Sequence, residues 1–153
     1  MVLRYRFHKE KLKDGSIVFR PKVLVEISSG NIRLPFHIAA LLDSGCDVTV
    51  IPEEFAQMLE LKKLGETELV AYREKTDVWV SKVDIAFLSK VDRENVKIND
   101  IPVFITPKDE QEFSTEVVIG VRGIFDKFDI KFSLSKNRIE LKKTDILRRK
   151  VYY

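Results

Sequence analysis

The 153-residue chain carries 27 Lys and Arg against 24 Asp and Glu, a formal net charge of +3, with 44% hydrophobic and 33% charged residues. Such a balance describes a globular chain rather than a disordered one, and it makes no global electrostatic case for nucleic acid; Arg148-Arg149-Lys150 is only a local basic cluster. The single cysteine, Cys46, excludes an internal disulfide framework and a cysteine-rich metal site. The length suggests one domain over 1–153, large enough to bury roughly 68–70% of its unfolded surface without a disulfide or metal. The longest apolar run, Ile38 to Leu42, is far too short to cross a bilayer. Met1-Val2-Leu3-Arg4-Tyr5-Arg6 places charges where a signal peptide needs an apolar stretch. The expectation is a cytoplasmic protein with no membrane partner.

In chain order, Tyr5, Phe7, Ile17, Val18 and Phe19 flank a polar stretch ending in Asp14-Gly15, a hairpin signal within 3–20 that is expected to be peripheral or at a dimer interface. Pro21 interrupts the second strand. Val23, Val25 and Ile27 then alternate with Leu24, Glu26 and Ser28, and Ser28-Ser29-Gly30-Asn31 makes a turn. Ile32, Leu34, Phe36 and Ile38 keep a period of two and lead into Ala39-Ala40-Leu41-Leu42, a strand entering the core. Val48 to Ile51 is β-branched. Pro52 suits a first helical position and Glu53 and Glu54 a first turn, so a short helix is expected over 52–61. Leu69–Tyr72 and Val78–Val80 read as strands around a polar turn, Arg73–Asp77. Trp79 has two readings, in the core or over a cleft, and packing is the commoner use of a large aromatic. Ser89–Asp100 reads as a polar, charged loop with room for a short strand, Ile101–Ile105 as a strand, and Pro107–Ser114 as a charged loop or helical turn. Phe128, Ile130 and Phe132 alternate as a final strand that turns at Ser135–Arg138 and pairs back through Ile139–Leu141. The tail 142–153 is expected to be peripheral or at an interface.

One stretch departs from this pattern: Leu41-Leu42-Asp43-Ser44-Gly45-Cys46-Asp47-Val48-Thr49-Val50. An acid follows an apolar run directly, and apolar residues resume at once. A carboxylate among buried neighbours is costly unless hydrogen-bonded, paired or used. A turn or capping role is one reading of Asp43, since Asp is common in tight turns. These ten residues, however, closely resemble the active-site loop of the retropepsin-like aspartic proteases. A second stretch, Val117-Val118-Ile119-Gly120 with Val121-Arg122-Gly123 beyond it, resembles that family's second motif, which is followed by a short helix and a last strand. The two motifs stand in the family's order, and the resemblance covers roughly 23–141.

The resemblance implies an all-β, closed-barrel fold with one or two short helices, forming a two-fold homodimer. It implies an aspartic endopeptidase in which Asp43 of each subunit supplies one carboxyl around a shared water, with no metal and no cofactor. Ser44, Gly45, Asp47 and Thr49 would support the loop, with Ser44 hydroxyls interlocking across the axis. Val48, Val50 and Val118 match positions that line side-chain pockets. Tyr72 and Trp79 lie on the hairpin corresponding to the flap that closes over a peptide or unfolded-protein substrate. Ile119 and Gly120 would pass behind the loop. Family members carry Arg directly after that Gly, paired to the acid that is Asp47 here; this chain has Val121 there and Arg122 one place later, so Asp47 takes Arg122 through a local shift, or another donor such as Arg6. An alternative function is a catalytically weak or inactive dimer that binds or scaffolds proteins. A third, a barrel module for nucleic acid, is not favoured, because no basic-aromatic motif is present. Cys46 matches a small packing position; a redox role requires an exposed thiol of low pKa. His8 and His37 are scattered and form no metal site or triad.

Overall fold

The computed structural model describes residues 1–71, 73–90, 94–108 and 116–144. Its strands are β1 (Val2–Tyr5), β2 (His8–Lys11), β3 (Ile17–Arg20), β4 (Lys22–Ser29), β5 (Ile32–Arg33), β6 (Ile38–Leu42), β7 (Thr49–Pro52), β8 (Gly65–Ala71), β9 (Glu74–Phe87), β10 (Val96–Thr106), β11 (Val118–Ile119), β12 (Phe128–Ser133) and β13 (Arg138–Lys143); the helix α1 spans Glu53–Met58. Among these residues no helix is long and apolar enough to cross a membrane.

Six strands close a barrel in the order β4-β6-β11-β7-β10-β9, with β9 returning to β4. Closure leaves those six without a free edge. Alternation decides what each strand buries. Val23, Val25 and Ile27 of β4, Val83, Ile85 and Phe87 of β9, and Ile101, Val103 and Ile105 of β10 fill the interior. The strand β8 lengthens the sheet beyond β9, and β5 caps β4. A second sheet, β1-β13-β12, packs on the barrel through Leu3, Ile139, Leu141 and Phe128; the rings of Phe128 and Phe87 meet edge to face with centroids 5.0 Å apart. Among the described residues the hairpin β2–β3 pairs only with itself.

Several local expectations need correction. The period-two run from Ile32 to Ile38 is not one strand: pairing stops at Arg33 and resumes at Ile38, and Phe36 between them is exposed. Pro35 has no N–H to give a ladder, so the chain bends there. The helix is shorter than 52–61. Pro52 ends β7 and sits at the N-cap in extended conformation, and Glu60 turns left-handed at φ 52°. Glu74–Asp77 lie in β9 rather than in a turn, since the ladder runs to the pair Ala71–Glu74. The short strand allowed within Ser89–Asp100 is Val96–Asp100, which is continuous with β10 and carries an irregularity between Ile98 and Ile101; there Asp100 has φ 55° and its N–H donates to the Asp84 carboxylate. Residues 121–127 form successive turns rather than a helix. Tyr72, Arg148-Arg149-Lys150 and most of the loop Pro107–Ser114 lie outside the described residues.

Candidate active site

The loop 43–48 joins two strands that flank β11. Val118 and Ile119 run parallel to Leu41 and Leu42 of β6, while Val118 pairs antiparallel with Val50 of β7. The loop therefore crosses the end of β11, and backbone groups tie it down from both sides. The Leu41 N–H donates to the Val117 carbonyl at 2.9 Å, and the Asp43 N–H donates to the Ile119 carbonyl at 3.0 Å. Beyond β11 the direction reverses: the Val121 N–H donates to the Cys46 carbonyl at 2.8 Å and the Arg122 N–H to the Asp47 carbonyl at 2.9 Å. Bonds of this kind on both flanks leave the loop little freedom to deform.

Gly120 is what lets the two segments touch. A Cβ at this position would lie 2.5 Å from the Val48 carbonyl carbon and 2.8 Å from the Cys46 carbonyl oxygen. Both are backbone atoms, so no side-chain rotation relieves the clash. The buried Gly120 N–H donates to Thr49 Oγ1 at 3.1 Å, and Thr49 is fully buried. Threonine is thus chosen here for an acceptor inside an otherwise apolar wall.

Asp43 itself is half-buried. Its Oδ1 accepts the Gly45 N–H at 2.9 Å, and its carbonyl accepts the Cys46 N–H at 3.2 Å. The first bond closes a local turn that fixes the carboxylate's rotamer. The Cys46 thiol donates to the Val48 carbonyl at 3.1 Å. Burial pushes that thiol above its ordinary range, and the charges of Asp43 and Asp47 push the same way. It is therefore held protonated, the opposite of a redox-active thiol.

The remaining predicted positions fall into three groups. Ser44, Gly45 and Asp47 are exposed on the loop. Val50 and Val118 are half-buried cross-strand partners, whereas Val48 is buried and supplies a carbonyl. Trp79 is half-buried on β9, packs against the core and lines a cavity of about 390 Å³ with Lys63, Glu66, Glu68 and Asp77, none of them from the loop 43–48. The Asp47 carboxylate has no ion pair among the described residues, with Arg122, Arg6 or any other cation. Arg122 reaches Asp47 by its backbone alone, and Val121 is exposed.

Sequence reasoning missed the groups that brace the loop from behind. The Leu42 N–H donates to the Pro21 carbonyl at 2.9 Å. Next in the chain, Lys22 Nζ lies 2.6 Å from Glu10 and 3.4 Å from Glu116, while Arg20 Nε lies 2.7 Å from Glu10. These ion pairs join residues far apart in the chain, and nothing in their local sequence announces them.

Among solved structures, the chain is similar to a retropepsin-like aspartic protease from Rickettsia conorii, with 12% identity over 92% of this chain and 91% of that chain and a TM-score of 0.52. It also aligns with the EIAV protease complexed with the inhibitor HBY-793, with 17% identity over 66% of this chain and 81% of that chain and a TM-score of 0.42. No protein-family model matches the sequence, and no curated protein matches it. At such identities the likeness is one of fold: this chain has a retropepsin-like fold.

Proposed function

We propose that this chain, a single domain of retropepsin-like fold, acts as a homodimeric aspartic endopeptidase. The observation that carries the reading is the Asp43 carboxylate, aligned by the Gly45 N–H on a loop pinned to both sides of β11. Amide hydrolysis by this route needs two carboxyls around one water. One, ionised, takes the water's proton; the other, protonated, polarises the scissile carbonyl. Two carboxyls held close share one proton, so both states are present together. The chain has one Asp-Ser-Gly. The second carboxyl therefore comes from a second copy across a two-fold axis.

Ser44 is exposed beside Asp43, and in the proposed dimer its hydroxyl meets its counterpart across that axis. Gly45 supplies the aligning N–H, and Thr49, Ile119 and Gly120 form the rigid backing. The half-buried Val50 and Val118 suit apolar substrate side chains, with Val48 behind them, and the hairpin β8–β9, which carries Trp79, would cover an extended peptide; the Tyr72 expected to join it lies outside the described residues. Asp47, lacking a cation, is free to accept substrate backbone N–H groups. That same lack, with Val121 in place of an arginine, favours the second reading, a dimer that binds proteins and cleaves them weakly or not at all.

Cleavage of a peptide mixture from acid to neutral pH, by wild type and Asp43→Asn at concentrations where sedimentation shows a dimer, decides between them. Asparagine keeps the oxygen that accepts the Gly45 N–H, so the variant is expected to fold and dimerise while cleavage falls by several orders of magnitude. A well-formed wild-type dimer that cleaves nothing at any pH would establish the binding reading.

A further inference from the structure

The hairpin β2–β3 has two unlike faces. Residues directly opposite each other in an antiparallel pair share a face. His8, Glu10, Val18 and Arg20 therefore lie together, and this face is stitched to the barrel by the Glu10–Arg20–Lys22–Glu116 cluster. The other face carries Lys9 opposite Phe19 and Lys11 opposite Ile17. Ile17 is 51% exposed and Phe19 48% exposed, and neither lysine has an ion pair among the described residues. Two large apolar side chains framed by two unpaired cations form an uncovered face on a hairpin that no other strand supports. Such a hairpin is marginal by itself in water.

Its root lies beside the catalytic loop. The hairpin ends at Arg20, Pro21 accepts the N–H of Leu42, and Leu42 precedes Asp43. Four residues of strand reach about 13 Å from that root. A molecule that approaches Asp43 closely is thus within reach of the hairpin. The loop that would approach carries exposed Asp47, an acid with no cation of its own, which complements Lys9 and Lys11.

We infer that the β2–β3 hairpin is a dimerisation arm: its Lys9–Lys11–Ile17–Phe19 face packs on a second copy of this chain, beside that copy's Asp43–Asp47 loop. The inference rests on the dimeric reading above, and each copy gives one arm and receives one. Burial of the two apolar side chains supplies the attraction, and the lysines neutralise an acid with no ion pair among the described residues.

The test is sedimentation equilibrium of wild type, Ile17→Ser/Phe19→Ser and Lys9→Glu/Lys11→Glu, with circular dichroism and urea unfolding to show that each monomer folds. The expected result is a dimer dissociation constant raised more than about tenfold in both variants, with the Lys9→Glu/Lys11→Glu defect reduced by adding Asp47→Lys. Unchanged dimerisation in both variants overturns the arm, as does a wild type that remains monomeric. So does an unchanged dimer with a raised KM for acidic peptides, which would assign the face to substrate instead. Because dimerisation is read without an assay of cleavage, an inactive protein whose dimer depends on the arm would sink the protease reading and sustain this one.

Discussion

At the scale of single residues, the site depends on two side chains chosen for what they lack or accept. Gly120→Ala drives a methyl group into the backbone of Cys46 and Val48, so either the loop or β11 must move. Its expected cost is about 3 kcal/mol or more, measured by urea unfolding, together with loss of cleavage. Thr49→Val keeps the shape but orphans the Gly120 N–H. A loss of about 1–3 kcal/mol is expected, and an unchanged midpoint would show that the bond contributes nothing. Tyr5 presents the reverse case. Burial pushes its hydroxyl above the ordinary phenol range, and the hydroxyl has no hydrogen-bond partner. Tyr5→Phe removes an unsatisfied polar atom, so stability should be unchanged or rise by about 1 kcal/mol; a clear loss in thermal or urea unfolding would reveal a partner for that hydroxyl.

At the scale of elements, the N-terminal hairpin is attached by charge, and this makes its attachment depend on pH. The Lys22 hydrogen bond holds the Glu10 carboxyl below its ordinary 4.5, against a smaller opposing effect of burial. A depressed folded-state value means that stability is present above the unfolded value and lost as pH falls through the folded one. Lys22 has the opposite sign. Burial alone would lower it, but Glu10 and Glu116 together hold it above 10.5, so its contribution is lost as pH rises through that raised value. The attachment is therefore complete between the two and weakens outside them. Asp14, Glu66 and Glu140 are also depressed, so the informative quantity is a difference. Wild type minus Glu10→Gln in urea stability should shrink as pH falls from about 5 to about 3, by less than about 1 kcal/mol at this solvent-exposed site. A difference independent of pH would detach the hairpin from this explanation.

At the scale of the molecule, the proposed two-copy site predicts a concentration dependence. Cleavage per chain should fall on dilution in step with the loss of dimer seen by sedimentation, and become second order in protein at the lowest concentrations. Constant activity per chain through dissociation would place both carboxyls on one chain and defeat the two-copy scheme.

What the sequence determined by itself was local. Alternation of Val23, Val25 and Ile27, and of Ile101, Val103 and Ile105, announced the strands, because a period of two reflects which face of a strand meets the core. The Asp-Gly turn announced the hairpin. The run from Leu41 to Val50, with Val118-Ile119-Gly120 after it, was legible through its resemblance to two motifs of a known family in their order; the acid alone fits an ordinary turn equally well. Short-range conflicts were less legible: Pro35 ended a run that periodicity alone continued, and residues 121–127 stopped short of a helix. Only the tertiary structure decided that Asp47 stands without a cation among the described residues, that Gly120 is pressed against the Cys46 and Val48 carbonyls, and that Lys22 joins Glu10 to Glu116. Each of these depends on residues brought together by barrel closure, and a contact between positions distant in the chain leaves no periodic trace along it.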